Sequence, residues 1–287
     1  MNTLFIFGMG YSAKVLANRL RNDGWQVNGT GSDGDVDFTD PAAVHAALAG
    51  ATHILSSVPP DRATGTDPVL AQYADAIRTA PAHWIGYLSS TGVYGDAGGA
   101  WVDEAASVGT GRRNARTEAD LAWQFGGGQV LGAQVLGRQA SGGQALDPRA
   151  RVFRLPGIYG PGRSALDRVR DGSAKRIDLP DQVFSRVHVD DIAGGVIASF
   201  DGPPGVYNLG DDLPCSQNRV IEAACRLLGV DPPPLQSLEE ANLSPMARGF
   251  YAENRRVANG KAKRLLGWTL RYPDYEAGLA AILAGGN

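Results

Sequence analysis

A glycine turn between an apolar strand and a helix, within the first twenty residues, constrains the fold of this chain most. Residues 3–7 form a short apolar run of strand formers, too short for an isolated helix and typical of a strand buried on both faces. The segment Gly8-Met9-Gly10-Tyr11-Ser12-Ala13 follows directly, and residues 14–20 have helical spacing. A G-x-G-x-x-G/A pattern in this context predicts a turn that binds a dinucleotide.

The small residues of this turn have separate physical roles in that prediction. Gly8 permits the tight turn, and Gly10 lets the backbone approach a pyrophosphate. Ala13, in place of a third glycine, still lets the helix pack closely on the strand. The N-terminus of the helix offers free N–H groups and the positive end of its dipole to the phosphates. We therefore assign cofactor binding to Gly8, Gly10, Tyr11, Ser12 and Ala13.

Length and composition are those of an ordinary globular α/β protein, with one large domain or one domain and a smaller lobe. Of the 287 residues, 43% are hydrophobic and 20% are charged. The net charge of −3 shows no basic excess, which argues against nucleic acid as a partner. Cys215 and Cys225 have neither zinc spacing nor a disulfide framework, so we expect no metal site and a cytoplasmic location. We expect neither a signal peptide nor a membrane span.

Strand and helix patterns alternate along the first part of the chain. Apolar runs at 52–58 and 84–88 indicate strands, and a short segment ending at Phe38 is expected to be another. Asp40-Pro41 and Asp67-Pro68 indicate the first residues of two helices. This alternation predicts a Rossmann-type, doubly wound parallel sheet with right-handed crossovers.

The end of the second expected strand, 25–30, bears on the choice of dinucleotide. In dinucleotide-binding folds an acidic residue there holds the adenosine ribose. This chain has Gly31 at that position and Ser32 beside it, so no carboxylate repels a 2′-phosphate. No arginine or lysine is seen there to clamp that phosphate, and Asp33 could take the ribose role instead. The expected cofactor is NAD(P), with a lean to NADP and with Ser32 as a contact.

Four further motifs follow in a fixed order along the chain: 89–95 (SSTGVYG), 154–163 (RLPGIYGPGR), 186–193 (RVHVDDIA) and 263–268 (KRLLGW). Together they resemble motifs of the extended short-chain dehydrogenases/reductases, the NAD-dependent epimerase/dehydratase family, over nearly the whole chain. The resemblance implies a Rossmann-type NAD(P)-binding domain over residues 1–160. It also implies a small C-terminal substrate lobe, with returning Rossmann elements, over residues 161–287.

The resemblance implies a catalytic tyrosine and lysine, spaced Y-x-x-x-K, which this chain lacks. Arg112 and Arg116 stand at those two positions, and no tyrosine occurs between Tyr94 and Tyr159. Arginine cannot replace the tyrosine because its pKa is too high to release a proton. Ser90 matches the serine that hydrogen-bonds the substrate oxygen in that family, with Thr91 beside it.

Three interpretations stay open at this point. In the first, the protein is an atypical NAD(P)-dependent oxidoreductase or epimerase-like enzyme of unknown substrate. Its two arginines, four residues apart on one helical face, would clamp a phosphate or carboxylate, and Tyr94 or Tyr159 would supply an acid. In the second, the protein binds a dinucleotide without turnover, as a sensor or scaffold. In the third, the arginines are solvated and the site is inactive. The predicted catalytic residues are Ser90, Thr91, Tyr94, Arg112 and Arg116.

Further contacts are expected from the resemblance and from charge. The strand end at Ser57 and Val58 is expected beneath the nicotinamide ribose, and Pro156 is assigned to the cofactor as well. The substrate contacts are expected at Arg163, Arg186, Tyr251 and Arg255.

The expected partner is a small molecule that carries an anionic group, and a homodimer is expected by analogy. Nucleotide-sugar members of the family generally place an arginine where this chain has Phe184, which argues against a nucleotide-sugar substrate. The Gly- and Gln-rich stretch 126–148 indicates either a flexible insertion or a helix broken at Gly126, and no function is assigned to it.

Overall fold

A computed structural model describes residues 2–109, 114–125 and 147–285, apart from the side chain of Met246. The strands are β1 (Thr3–Phe7), β2 (Gln26–Gly29), β3 (His53–Ser56), β4 (Trp84–Ser90), β5 (Trp101–Val102), β6 (Ala150–Leu155), β7 (Gly157–Tyr159), β8 (Arg176–Ile177), β9 (Arg186–His188), β10 (Gly205–Asn208), β11 (Leu235–Gln236) and β12 (Arg256–Val257). The helices are α1 (Tyr11–Asn22), α2 (Pro41–Ala49), α3 (Pro68–Thr79), α4 (Asn114–Gln124), α5 (Ala165–Arg170), α6 (Val189–Ala198), α7 (Gln217–Leu228), α8 (Pro245–Phe250), α9 (Gly260–Leu266) and α10 (Tyr275–Ala284). A 3-10 turn, Thr91–Tyr94, follows β4.

A six-stranded sheet in the order β10-β6-β4-β3-β1-β2 forms the centre of the fold, and all its neighbours are parallel. Helices α1 and α6 cover one face of the sheet, and α2, α3 and α4 cover the other. This arrangement buries the apolar strands on both sides, as parallel sheets require. The predicted Rossmann-type doubly wound fold is confirmed.

The strand order reverses between β1 and β3, because the chain leaves β1 toward β2 and then crosses back to β3. In open parallel sheets, ligands bind outside the carboxyl ends of the strands at such a switch point. Gly8 follows β1 and Ser57 follows β3, so the predicted cofactor turn lies at this place in the sheet.

The segment ending at Phe38 is not a strand, contrary to the prediction. The Asp37 carboxylate accepts hydrogen bonds from the backbone N–H and the hydroxyl of Thr39, which closes a turn there. The strand after α2 is therefore the third of the sheet and the strand after α3 is the fourth. The two helices begin where the Asp-Pro signals predict, because Asp40 and Asp67 each accept two backbone N–H bonds at the helix start.

A second apolar core lies beyond the sheet, where α5, α7 and α10 pack on one another, and we call this region the C-terminal lobe. Ser164 begins α5 with a capping box, and Ser216 caps α7. Gly229 ends α7 at a φ of +68°, a conformation that glycine adopts without strain. The division of the chain at residue 160 stays a prediction. No helix in the described ranges is both long and apolar enough to cross a membrane.

Candidate functional site

A cleft of about 1010 Å³ opens between the carboxyl ends of the central strands and the C-terminal lobe. Its sheet side is formed by the start of α1, the end of β3, the end of β4 with its 3-10 turn, and the segment 155–159. Its lobe side is formed by α5, by the first turns of α7, and by the segment around α8. A volume near the upper end of the usual range for ligand sites has room for a large ligand or for two smaller ones.

The glycine turn lies at the sheet side of the cleft in the geometry that a phosphate needs. Gly8 has a φ of +85°, and a Cβ there would lie 2.8 Å from a methyl group of Val58. Gly10 precedes α1 without a side-chain cap, and a Cβ there would meet no atom within 4 Å. Gly10, Tyr11 and Ser12 line the cleft, whereas Ala13 is buried against the sheet. At Gly10 the start of α1 therefore presents backbone to the cleft, with the side chains of Tyr11 and Ser12 beside it.

A lysine of α1 that the sequence analysis missed lies beside the loop that follows β2. Lys14, in the first turn of α1, lies 2.5 Å from the Asp33 carboxylate, and the Ser32 hydroxyl donates to the same carboxylate. A Cβ on Gly31, at a φ of +109°, would lie 2.9 Å from the backbone nitrogen of Met9, so any side chain there would be strained. The expectation that no basic residue is available at this place is therefore corrected. Only the pairing of β1 with β2 brings Lys14 there.

The remaining predicted cofactor residues form two groups: some line the cleft, and the others lie outside its lining. Ser57 and Pro156 line the cleft, and the Ser57 hydroxyl donates to the carbonyl oxygen of Gly8. Val58 packs against Gly8 and is absent from the cleft lining. Ser32 also lies outside that lining, at the end of β2.

Ser90 and Thr91 line the cleft at the end of β4. The Ser90 hydroxyl oxygen accepts a hydrogen bond of 3.1 Å from the backbone N–H of Gly92, which starts the 3-10 turn. That bond uses a lone pair of the hydroxyl and leaves its proton for donation. Both residues therefore border the cleft, Thr91 with only 5% of its surface exposed, and their catalytic role stays a prediction.

Tyr94 lies behind the cleft, in a buried polar network. Its hydroxyl donates to Asn208 at 2.8 Å and accepts from Arg154 at 3.0 Å. Burial raises the pKa of Tyr94 to about 12. Tyr94 is not among the cleft-lining residues, so it is not placed to protonate a ligand there.

The charged centre of this network is a buried ion pair that the sequence analysis did not identify. Two nitrogens of Arg154 donate to Asp120, at 2.8 and 3.0 Å, and Ser89 donates to the same carboxylate at 2.6 Å. Asp120 is fully buried, and Arg154 is 3% exposed. The pair joins α4 to β6 behind the Ser90 segment. No local sequence pattern predicts this ion pair, because the two residues lie 34 positions apart.

Of the two arginines at the family's catalytic positions, Arg112 lies outside the described residues. Arg116 is half-buried and lines the cleft. Its guanidinium lies near the hydroxyl of Tyr87, a residue whose ring stacks on Trp123 at 5.3 Å. Burial nevertheless raises the pKa of Tyr87. Arg116 is therefore a half-buried residue of the cleft wall and not a fully solvated charge, and the two-arginine clamp stays a prediction.

The predicted substrate residues all line the cleft, but in different environments. Arg163 is exposed, and its guanidinium lies 5.6 Å from the centre of the Tyr11 ring. Arg186 is 6% exposed and is held by backbone carbonyl groups. Arg255 pairs with Glu253 at 3.0 Å, and the ring of Tyr251 meets Phe184 edge-on at 5.5 Å.

The cleft is cationic although the whole chain has a net charge of −3. Its described lining contains six cations and three carboxylates: Arg116, Arg163, Arg168, Lys175, Arg186 and Arg255, with Asp167, Asp171 and Glu253. Such an excess in a concave site favours anionic ligands.

The tyrosines of the described cleft lining are protonated at neutral pH. Burial raises the pKa of Tyr11, Tyr159 and Tyr251, and it raises the pKa of Tyr275 to about 12. The Tyr159 hydroxyl also donates to the backbone carbonyl of Asp274 at 3.2 Å. None of these phenols is therefore placed in the lowered-pKa state that a tyrosine base requires.

No model of a known protein family matches the chain. Among proteins of known sequence, Protein YeeZ of Escherichia coli K12 is 27% identical over 96% of this chain and 97% of its own. A 3-diazoavenalumate denitrifying reductase of a Streptomyces species is 31% identical over 45% of each chain.

Among solved structures, a conserved protein of unknown function from Silicibacter pomeroyi DSS is 41% identical, with a TM-score of 0.81 over 100% of this chain and 99% of its own. The chain belongs to the same family as this protein. The human epimerase family protein SDR39U1 with NADPH is 16% identical, with a TM-score of 0.71 over 99% of this chain and 100% of its own. The resemblance to NAD-dependent epimerase/dehydratase proteins is thereby confirmed in the fold.

Proposed function

We propose that this protein is an NAD(P)-dependent oxidoreductase of the epimerase/dehydratase type that acts on a small anionic substrate. One observation carries the proposal: a single cleft joins the start of α1 to a cation-rich C-terminal lobe, with Ser90 and Thr91 between them. A protein that only sensed a dinucleotide would have no need of the lobe side of this cleft. The reductase and epimerase names among the similar proteins agree with this class.

The residues at the glycine turn fit a nicotinamide dinucleotide. Gly10 and the uncapped start of α1 would hold the pyrophosphate, since Gly10 brings no side chain and its Cβ position is open. Ser57 and Pro156 would border the nicotinamide end. Bound in this way, the nicotinamide ring would exchange a hydride with the substrate.

We favour NADP over NAD for this site because of the contacts at the end of β2. Lys14 and Ser32 would contact a 2′-phosphate, and Gly31 leaves no carboxylate to oppose it. Asp33 already pairs with Lys14, so its charge is largely offset in the free protein. The human relative by fold, SDR39U1, was solved with NADPH, in agreement with this preference.

The reaction would rely on hydrogen bonding and electrostatics and not on a tyrosine base. Ser90 and Thr91 would donate hydrogen bonds to the substrate oxygen. Arg116 would stabilise negative charge that develops on that oxygen, because a guanidinium keeps its charge at every working pH. In the reducing direction the hydride would come from the nicotinamide, and the alkoxide that forms would take its proton from solvent water, because the arginine cannot supply the proton that the family's tyrosine otherwise gives.

Calorimetric titration of NAD, NADH, NADP and NADPH into the full chain tests the cofactor step. We expect NADPH to bind most tightly and Gly10→Glu to abolish binding, because a carboxylate would fill the phosphate space. Gly50→Glu is the matched control, since Gly50 also has negative φ and an open Cβ position but lies outside the cleft lining. If none of the four dinucleotides binds the wild-type chain, the proposed function is refuted.

The role of Arg116 is tested by turnover of NADPH with a panel of small carboxylates and phosphates. Arg116→Gln should lower kcat by about a hundredfold if the charge stabilises the transition state, and Arg116→Lys should restore part of it. An unchanged kcat in Arg116→Gln would remove this residue from the chemistry while leaving the cofactor site intact.

A further inference from the structure

We propose that the C-terminal lobe contains a separate anion site at the start of α7, formed by Gln217, Arg186 and Arg168. It would bind a carboxylate or phosphate group of the substrate and leave the apolar part of that molecule against the lobe. The proposal rests on the proposed function in one respect only, namely that the ligand of this site is the substrate.

An unpaired hydrogen-bond donor marks the site. The side-chain nitrogen of Gln217 is buried and has no hydrogen-bond partner in the described part of the chain. Gln217 lines the cleft, and its amide oxygen accepts a bond of 3.3 Å from Arg186. That bond orients the amide, so the free N–H₂ group is held in place beside the cleft. A buried donor without an acceptor is costly, and an anion in the cleft would supply the acceptor.

Arg186 brings a positive charge that no carboxylate neutralises directly. One of its terminal nitrogens donates to the carbonyls of Phe184 and Cys215, and the other donates to Ser216 and Gln217, at 2.9 to 3.3 Å. Within the described residues no carboxylate lies within 4 Å of it. Carbonyl groups orient a guanidinium but do not cancel its charge. The buried Asp211 carboxyl interacts with this charge, but burial raises its pKa to about 7 against the lowering by Arg186, so it offsets the charge only in part at neutral pH.

Arg168 faces the same space from α5, on the other side of the lobe pocket. The Arg168 side chain is exposed to solvent over part of its surface, but desolvation at the cleft wall lowers the pKa of its guanidinium, and the nearby charge of Arg186 lowers it further. Neither arginine has an ion-pair partner among the residues described here. Two cations that face one cleft repel each other, and an anion between them would remove this repulsion.

The helix itself adds to the field at this point. Helix α7 has twelve residues, and Gln217 is the first of them, directly after the cap Ser216. The positive end of the helix dipole therefore points to the same place as the two arginines. Val220, Ile221 and Leu279 line the cleft next to it. The site thus suits an organic anion with an apolar body.

Two probes test the site and separate the two sources of the anion: benzoate for a carboxylate with an apolar body, and inorganic phosphate. Both are titrated by calorimetry into the full chain at low ionic strength, without dinucleotide. Each titration is repeated in the Gly10→Glu chain, where the glycine turn can no longer hold an anion. We expect at least one probe to bind equally well in both chains.

Arg168→Gln should weaken that binding by about tenfold, which is typical for the loss of one charge-assisted contact. Gln217→Glu should abolish it, because the new carboxylate would itself pair with Arg186. An acidic residue in the first turn of a helix is favourable, so this variant is expected to fold. Arg170→Gln is the control, since Arg170 lies on the same short helix and is exposed as Arg168 is, but does not line the cleft.

The outcomes are distinguishable. Weakened binding in Arg168→Gln and lost binding in Gln217→Glu, with binding unchanged in Arg170→Gln, support the anion site, and the probe that binds identifies the anion. If neither probe binds the wild-type chain, or if Arg168→Gln and Gln217→Glu bind as the wild type does, the site is refuted. Binding that is lost in Gly10→Glu but kept in Arg168→Gln places the anion at α1 and also refutes it. Failure of all four dinucleotides with intact anion binding would refute the proposed function alone.

Discussion

Replacement of Asp120 by asparagine should destabilise the protein far more than its small change in size suggests. The carboxylate of Asp120 is fully buried and accepts two bonds from Arg154, one from Ser89 and one of 2.8 Å from Gln124. Asp120→Asn keeps the shape but leaves the Arg154 cation buried without an opposite charge. Breaking one side of such a pair typically costs about 3–5 kcal/mol in the free energy of unfolding.

Urea unfolding at neutral pH measures this cost through the fluorescence of the buried Trp84 and Trp123. In the double variant Asp120→Asn/Arg154→Met the stranded charge is gone, so it should recover at least about 2 kcal/mol relative to Asp120→Asn alone. The control is Asp75→Asn, which removes an exposed pair with Arg78 and should change stability by no more than about 0.5 kcal/mol.

A loss in the free energy of unfolding for Asp120→Asn that is no larger than the loss for Asp75→Asn would refute the role of the buried ion pair. That result would mean that water reaches the Arg154 guanidinium, and that the pair does not hold α4 against β6. A double variant as unstable as Asp120→Asn alone would also contradict this role. The destabilisation would then come from lost shape and not from the unpaired charge of Arg154.

Three further predictions concern the turn, the cofactor and pH. Gly8→Ala should abolish dinucleotide binding, whereas Gly24→Ala, at a similar φ of +81° but in open space, should only lower the melting temperature. Lys14→Ala should weaken NADPH binding by about tenfold and NADH binding by less than about twofold, as measured by calorimetry. Burial raises the pKa of Asp211 from 3.8 to about 7, so between about pH 4 and about pH 7 the folded state binds a proton that the unfolded state does not. The contribution of this group to the free energy of unfolding therefore falls as pH rises through that window. In thermal melts at a series of pH values, Asp211→Asn should flatten this part of the dependence of stability on pH. The exposed control Asp201→Asn should leave it unchanged.

Much of the fold could be predicted from the sequence because its signals are local. The bounds of β1 agree with the apolar run, and α2 and α3 begin at their Asp-Pro signals. The segment ending at Phe38 was predicted wrongly because a few apolar residues in a short stretch resemble a strand. There a carboxylate at Asp37 closes a turn instead, and a single side-chain bond of this kind has no periodic signature.

For the candidate site, the sequence motifs predicted which residues lie near the strand ends but not where each side chain points. Gly10, Ser57 and Ser90 lie at the cleft as the motifs predict, since each lies at or just after the carboxyl end of a strand. Tyr94 follows the same strand but is turned inward onto Asn208 and Arg154 by the 3-10 turn. Its position in a motif therefore did not reveal which way its side chain would point.

The sequence by itself determined the parallel α/β architecture and the backbone of the cofactor turn. Both depend on strand length, helical spacing and glycine conformation within a few consecutive residues. Only the tertiary structure decided which charges meet: Lys14 with Asp33, Arg154 with Asp120, and Arg186 with the start of α7. Each of these contacts joins residues that are 19 or more positions apart in the sequence, well beyond the three or four positions that separate neighbours on one helix face. Sheet register and helix packing determine which of these distant residues come into contact. A pattern of neighbouring residues in the sequence carries no information about that.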